Sequence, residues 1–152
     1  MSSPASPDRE FMVFVCDSLM RGESQHELLA EARLVGEVRT KPAFHLVDLG
    51  ASGALLTGGT SAVVGELYAL GRVTLAALDV HKGHPILHQR CPLELEDGRE
   101  ADAYFISLDQ SRGLRRVRTG DWKNRRVLPG SSRVHDGGAL VRWARKRFDG
   151  DR

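Results

Sequence analysis

Short apolar runs separated by glycine, proline and charged turns set the pattern of this chain. Phe11 to Val15 is a run of five without a charge and predicts a buried strand. Ser24 to Ala32 places Leu28, Leu29 and Ala32 on one side behind Ser24, which predicts a short helix capped by that serine. Leu34 to Thr40 and Phe44 to Leu49 read as strands parted by Pro42, and Gly50 to Gly59 as a glycine-rich loop holding a brief strand at Leu55-Leu56. Val63 to Leu70 (VVGELYAL) is a strand with Glu66 among apolar neighbours. A second helix is expected from Leu75 to about His81, capped by Thr74 and stopped by Gly83 and Pro85.

Leu87 to Leu95 and Ala101 to Ile106 follow as strands joined through an Asp97-Gly98 turn. Asp121-Trp122 opens a short segment after Gly120. Beyond Gly137-Gly138, a last helix carries Leu140, Ala144 and Phe148 on one expected face. Many short strands with two or three helices predict an α+β fold, a mixed sheet curled like a β-barrel. Three parts are expected: a disordered leader at 1–10, one domain at 11–125, and a basic extension with a short helix at 126–152.

Composition changes this picture in two places. The formal net charge is only +2, yet residues 1–111 carry 9 basic and 16 acidic side chains and residues 112–147 carry 12 and 2. Such asymmetry points to an anionic small-molecule partner or a solvated basic face. Nucleic acid is disfavoured, because Trp122 and Trp143 are the only aromatics in that stretch and no known reader motif occurs. Arginine outnumbers lysine 18 to 4, the usage of a GC-rich bacterial genome. No apolar run is long enough to span a bilayer, the first ten residues lack a signal-peptide pattern, and two cysteines do not make a disulfide framework. The expectation is a cytoplasmic protein.

The candidate chemistry begins where the first strand ends, at Cys16-Asp17-Ser18. His81, His84 and His88 have a spacing that suits a metal on a helix, but Gly83 and Pro85 interrupt it, so neither metal nor cofactor is expected. Cys91 reads as core.

Taken in order, these landmarks resemble the gamma-glutamyl cyclotransferase-like proteins. VFV and MRGES surround Cys16-Asp17-Ser18-Leu19, where the family has Tyr-Gly-Ser-Leu. Arg39-Thr40, VVGELY, TLAALD, His88-Gln89-Arg90 (family Tyr-x-Arg), DGREADAYF and Thr119-Gly120-Asp121-Trp122 continue the match over about residues 11 to 125. The resemblance implies a reaction in which the α-amine of a γ-glutamyl amide attacks its own δ-carbonyl, releasing 5-oxoproline and an amine. One glutamate after the second helix moves the proton, and backbone amides of the signature loop hold the substrate anion.

This chain departs from the family at those very positions. Lys82 stands where the glutamate is expected, Cys16 replaces the tyrosine and Asp17 the glycine. A lysine is protonated at neutral pH unless its surroundings forbid it, and then accepts no proton. The ordinary reaction is therefore not expected. The replaced positions hold Asp, Lys, Cys and His instead of inert residues. That favours a repurposed enzyme for a small molecule, an anionic one included, in specialised biosynthesis, working by cyclisation, acyl transfer or elimination (a lyase, transferase or cyclase). Lys82, Asp17 and Cys16 are its catalytic candidates; a cationic Lys82 beside Cys16 would favour the thiolate, although a cysteine at a strand end is more often an inert small hydrophobe. Ser18, Leu19, Tyr68, His88 and Arg90 are candidates for substrate contact. The alternatives are a non-catalytic protein holding an anionic metabolite at Lys82 and Arg90, and a true cyclotransferase in which Asp17 is a relocated carboxylate. Asp17 and Lys82 are expected within ion-pair distance, about 4 Å, either as a compensating pair in a dead pocket or with Lys82 as a cationic donor or Schiff-base amine and Asp17 as base or orienter.

Overall fold

A computed structural model describes residues 10–125 and 138–149; the expected leader and much of the expected extension lie outside the described residues. Eight strands form one sheet in the order β2 (Arg33–Arg39), β5 (Val64–Leu70), β1 (Phe11–Val15), β7 (Glu100–Phe105), β4 (Gly53–Thr57), β3 (Phe44–Asp48) and β8 (Arg115–Arg116). The eighth, β6 (Gln89–Glu94), pairs with β7 off this path. Helix α1 (Arg72–Lys82) follows β5, and α2 (Gly138–Asp149) ends the described chain.

The apolar composition of β1 is explained by its position. It is antiparallel to β5 on one side and parallel to β7 on the other, and Val13, Phe14 and Val15 are buried. A feature of β7 positions the site. The strand meets β1 at Asp102 and, three residues later, meets β4 at Phe105, both in parallel register. The chain leaving β1 must therefore turn away where β4 arrives. Cys16 and Asp17 occupy that divergence, opposite Gly53 at the start of β4.

The α+β class and the curled mixed sheet agree with expectation, and the hairpin through Asp97-Gly98 forms with Gly98 at φ 92°. Three local expectations need correction. Ser24 to Ala32 yields only a 3-10 turn at His26–Leu29, with Gln25 at its start and no side-chain cap. Its bonds span three residues (Leu28 N–H to Gln25 O), so the tighter turn wins over the α-helix. Helix α1 begins earlier than Thr74, because the Leu75 N–H already closes a turn onto the Gly71 carbonyl. In α2, Leu140 is buried with Val47, Ala54, Leu56 and Ile106, whereas Phe148 is 58% exposed. Eight residues rotate a helix about 80° off its starting face, and Phe148 packs edge-on against Trp143 instead. No helix among the described residues is long and apolar enough to cross a membrane.

Candidate functional site

The buried stripe of α1 is Leu75, Leu78 and Lys82, a helical spacing in which the last position would ordinarily be apolar. Gly83, at φ 67°, ends the helix with its N–H on the Asp79 and Val80 carbonyls and leaves Lys82 in the final turn. The side chain therefore runs inward, and its Nζ donates to Asp17 Oδ2 at 2.6 Å. Both side chains are almost wholly buried, at 3% and 4% exposure.

Asp17 receives more than the amine. Its Oδ2 also accepts from the Gly53 N–H at 3.0 Å, and its Oδ1 accepts from the Leu19 N–H at 3.2 Å. Burial by itself would raise the Asp17 carboxyl, but the Lys82 charge and hydrogen bond and the two backbone donors together hold it below the ordinary range. The result is a buried carboxylate with three donors converging on it.

Little space remains around the pair. The gap bounded by β1, β4, Lys82 and Tyr104 measures about 10 Å³, the room of roughly one water molecule. Trp122, itself fully buried, abuts the Gly53 side so closely that an added Cβ at Gly53 would lie 2.8 Å from its ring. Its indole N–H donates to Glu23, and the Arg125 guanidinium lies 3.7 Å above its ring.

The other sequence-predicted residues fall into three settings. Cys16 lines the gap, but burial first and the Asp17 charge second push its thiol well up, outweighing the pull of Lys82. The pull of Lys82 toward a thiolate is outweighed, which favours the inert reading of this strand-end cysteine over the nucleophilic one. Ser18 is buried and donates its hydroxyl to Gln25, and Leu19 is core.

His88 is buried beside the pair, its Nδ1 2.8 Å from the Lys82 carbonyl, which fixes the proton on that nitrogen. Its Nε2 is the only buried side-chain nitrogen or oxygen among the described residues without a partner. Burial, then the Lys82 charge, hold His88 at a pKa of about 3.

Tyr68 and Arg90 are engaged elsewhere. The Tyr68 hydroxyl donates to Glu66 at 2.9 Å; Tyr104, not Tyr68, lines the gap. Glu66 also takes the Arg21 N–H at 2.9 Å and its Nε at 3.1 Å, so this glutamate fastens the loop after β1 onto β5. Arg90 directs Nε and Nη2 to Asp79 at 3.0 and 3.3 Å, and Nη1 to Asp102 at 2.8 Å. Tyr104 donates to the same Asp79 at 2.7 Å. Arg90 thus ties α1 to the sheet, and its charge is matched by two carboxylates. Cys91 is only partly buried, against the core.

Sequence reasoning missed Gly53, Tyr104 and Trp122 as neighbours of the pair. Trp122 stands in a matching motif without an assigned role, while Gly53 contributes a backbone N–H that no side-chain pattern announces.

Known proteins share this architecture. The family described as gamma-glutamyl cyclotransferase, AIG2-like, matches residues 13–124. A Vibrio cholerae protein named "Putative gamma-glutamylcyclotransferase" is 35% identical over 116 residues, covering 76% of this chain and 98% of that protein. One of the same designation from Methanocaldococcus jannaschii is 30% identical over 117 residues, 75% and 97% of the two chains. Among solved structures, a uropathogenic E. coli-specific protein superposes with a TM-score of 0.67 at 21% identity, over 76% of this chain and 94% of that one. An AIG2-like protein from Mus musculus gives 0.60 at 24%, over 64% and 78%. At such identities these structures establish the fold alone.

Proposed function

This chain belongs to the gamma-glutamyl cyclotransferase, AIG2-like family, and we propose that it is a non-cyclising member whose inherited pocket is closed by its own ion pair. The observation carrying this reading is the Asp17 carboxylate with its three donors, Lys82 Nζ, Gly53 N–H and Leu19 N–H. In the family reaction a substrate anion takes backbone donors of the signature loop. Here a side chain of the loop itself takes one of them, and Lys82 fills the space beside it. A gap of about 10 Å³ is far below the roughly 300 Å³ of a small ligand pocket.

The same geometry weakens two rival readings. Asp17 as a relocated base is a carboxylate already held by three donors and depressed in pKa, the opposite of what a general base near neutrality requires. An anionic metabolite held by Lys82 and Arg90 would compete with Asp17 at the first and with Asp79 and Asp102 at the second. One observation favours a second reading, a repurposed enzyme for a small molecule in specialised biosynthesis. The His88 Nε2 makes no hydrogen bond within the described residues, with the Gly53 backbone close to the ring, and a substrate donor could claim it if Lys82 swung away. Two free thiols, Cys16 and Cys91, fit a reducing cytoplasm under either reading.

The test is release of 5-oxoproline from a panel of γ-glutamyl amides by the purified protein. No turnover above background is expected, and steady turnover of about 1 per second or faster, ordinary for enzymes, would overturn the proposal. A metabolite retained by the wild type and lost on His88→Leu would transfer support to the second reading.

A further inference from the structure

Eight of the basic side chains described in the last third of the chain line two adjoining cavities. Arg112, Arg115, Arg116, Arg118 and Arg125 line a cavity of about 940 Å³, together with the single carboxylate Asp48. A second cavity of about 580 Å³ shares Arg112 and Leu114 with the first and adds Arg142, Lys146 and Arg147 from α2, with Asp109 as its carboxylate. The two form one continuous tract of eight basic and two acidic side chains. Both acids are engaged: Asp48 accepts from the Gly50 N–H and lies 3.8 Å from Arg125, while Asp109 accepts from the Trp143 indole and lies 3.6 Å from Arg112.

We propose that this tract is a docking surface for the phosphate backbone of nucleic acid, bound without sequence readout. Three features favour that occupant. The first is the spread of the cations. A compact anion is held by cations converging on one point, whereas here they lie on long, mostly exposed side chains along two joined cavities, an arrangement suited to evenly spaced phosphates. The second is the lack of base-reading equipment. Trp122 is buried under Arg125, and Trp143, which lines the second cavity, commits its indole N–H to Asp109 and meets Phe148 edge-on, so among the described residues one aromatic ring faces eight cations. The missing reader motif argues against sequence recognition and leaves backbone docking untouched.

The third feature separates nucleic acid from an anionic membrane. A basic helix lying on a bilayer turns its apolar face to the lipid, but α2 turns Leu140 onto Val47, Ala54, Leu56 and Ile106 of the body. Of the apolar side chains described on α2, only Phe148 is mostly exposed, and one ring is little to insert into lipid. Neutralising about five phosphates would give a slope of log K against log salt near −4.5, roughly a 500-fold loss of affinity between about 50 and 200 mM salt.

Fluorescence anisotropy with labelled mixed-sequence duplex DNA and single-stranded RNA tests this. Expected are dissociation constants of about 10⁻⁴ to 10⁻⁶ M at physiological salt, equal affinity for scrambled sequences, and the steep salt slope. Arg118→Glu/Arg147→Glu should weaken binding of every sequence alike and lower the slope by about 2; circular dichroism reports whether that variant is folded. Should it misfold, the wild-type slope and competition still decide. Adenosine triphosphate at equal phosphate concentration should fail to displace the duplex. The proposal is overturned by no binding at about 50 mM salt or a slope near zero. Displacement by the triphosphate would assign the tract to a small anion, and retention on anionic phosphatidylserine vesicles without duplex binding would assign it to a membrane. Variants of Asp17 or Lys82 that keep the fold should leave duplex binding unchanged, so failure here and failure of the closed-pocket reading are distinguishable.

Discussion

Replacing Asp17 with alanine should be among the most damaging single changes in the molecule. Asp17→Ala leaves the Lys82 ammonium inside the protein without its 2.6 Å partner and leaves the Gly53 and Leu19 N–H groups without theirs. Breaking a buried pair by removing one partner costs about 3–5 kcal/mol. Each orphaned donor carries about 1–3 kcal/mol, but losses on one network do not add, so we expect a total near 3–5. For a chain of this length that lowers Tm by roughly 6–20 °C, at about 2–4 °C per kcal/mol. Lys82→Met should be comparably harmful, because it strands the carboxylate. Asp17→Ala/Lys82→Met removes both charges and leaves only the two backbone donors, so it should cost about 1–3 kcal/mol, less than either single change. Urea denaturation of the four proteins closes the double-mutant cycle. A cost below about 1 kcal/mol for Asp17→Ala, the range of solvent-exposed pairs, would refute the claim that the pair is buried and structural.

Three further predictions rest on neighbouring groups. His88 is held at about 3 against an ordinary 6.5, so the unfolded chain binds a proton that the folded one refuses. Stability should be full above about pH 6.5 and fall as pH drops toward 3, by up to about 1.4 kcal/mol per unit; His88→Leu should flatten that fall, and parallel curves from pH 7 to about 4.5 would contradict it. Burial would raise the Glu66 carboxyl, but Arg21 and Tyr68 hold it down. Its contribution, like that of Asp17, should persist above about pH 4 and vanish as pH falls through the lowered folded values; Glu66→Gln should cost about 1.5–3 kcal/mol at neutral pH, read from the urea midpoint. Gly53→Ala drives a Cβ to 2.8 Å from the Trp122 ring and 3.2 Å from the Asp17 Cβ. It should destabilise by about 1–3 kcal/mol, and an unchanged melting temperature would count against the tight closure.

Most of the sheet was legible because its strands are short apolar runs punctuated by glycine and proline, and the Asp97-Gly98 turn can take a positive φ. Helix starts were less so. Thr74 and Ser24 have the chemistry of caps, but α1 opens at Gly71 and the first segment stays a 3-10 turn, since tertiary packing overrides local preference. At the site, the proximity of Asp17 and Lys82 followed from the motif, as both fall at cavity positions of the resembled family. What could not be read was how far burial would go. A lysine on the apolar stripe of α1 signals an inward side chain, yet the Gly53 N–H, the Trp122 ring and the loss of free volume depend on β7 passing from β1 to β4. That long-range handover leaves no trace in any local pattern. Arg90 looked like an anion site because its partners, Asp79 and Asp102, lie 11 and 12 residues away on other elements.

The closed pocket is tested most directly by the reactivity of Cys16, which lines the gap and is 6% exposed. In a Cys91→Ala background Cys16 is the single thiol, and its labelling by iodoacetamide or a disulfide reagent can be followed by mass spectrometry. With Asp17 and Lys82 filling the space and the thiol pushed up by burial, native protein at neutral pH should label only as fast as it unfolds, with rates rising in step with added urea. Asp17→Ala should speed labelling sharply. Prompt labelling of the folded, otherwise unaltered chain, independent of urea and near the rate of an exposed thiol, would contradict the account and reopen the pocket to substrate.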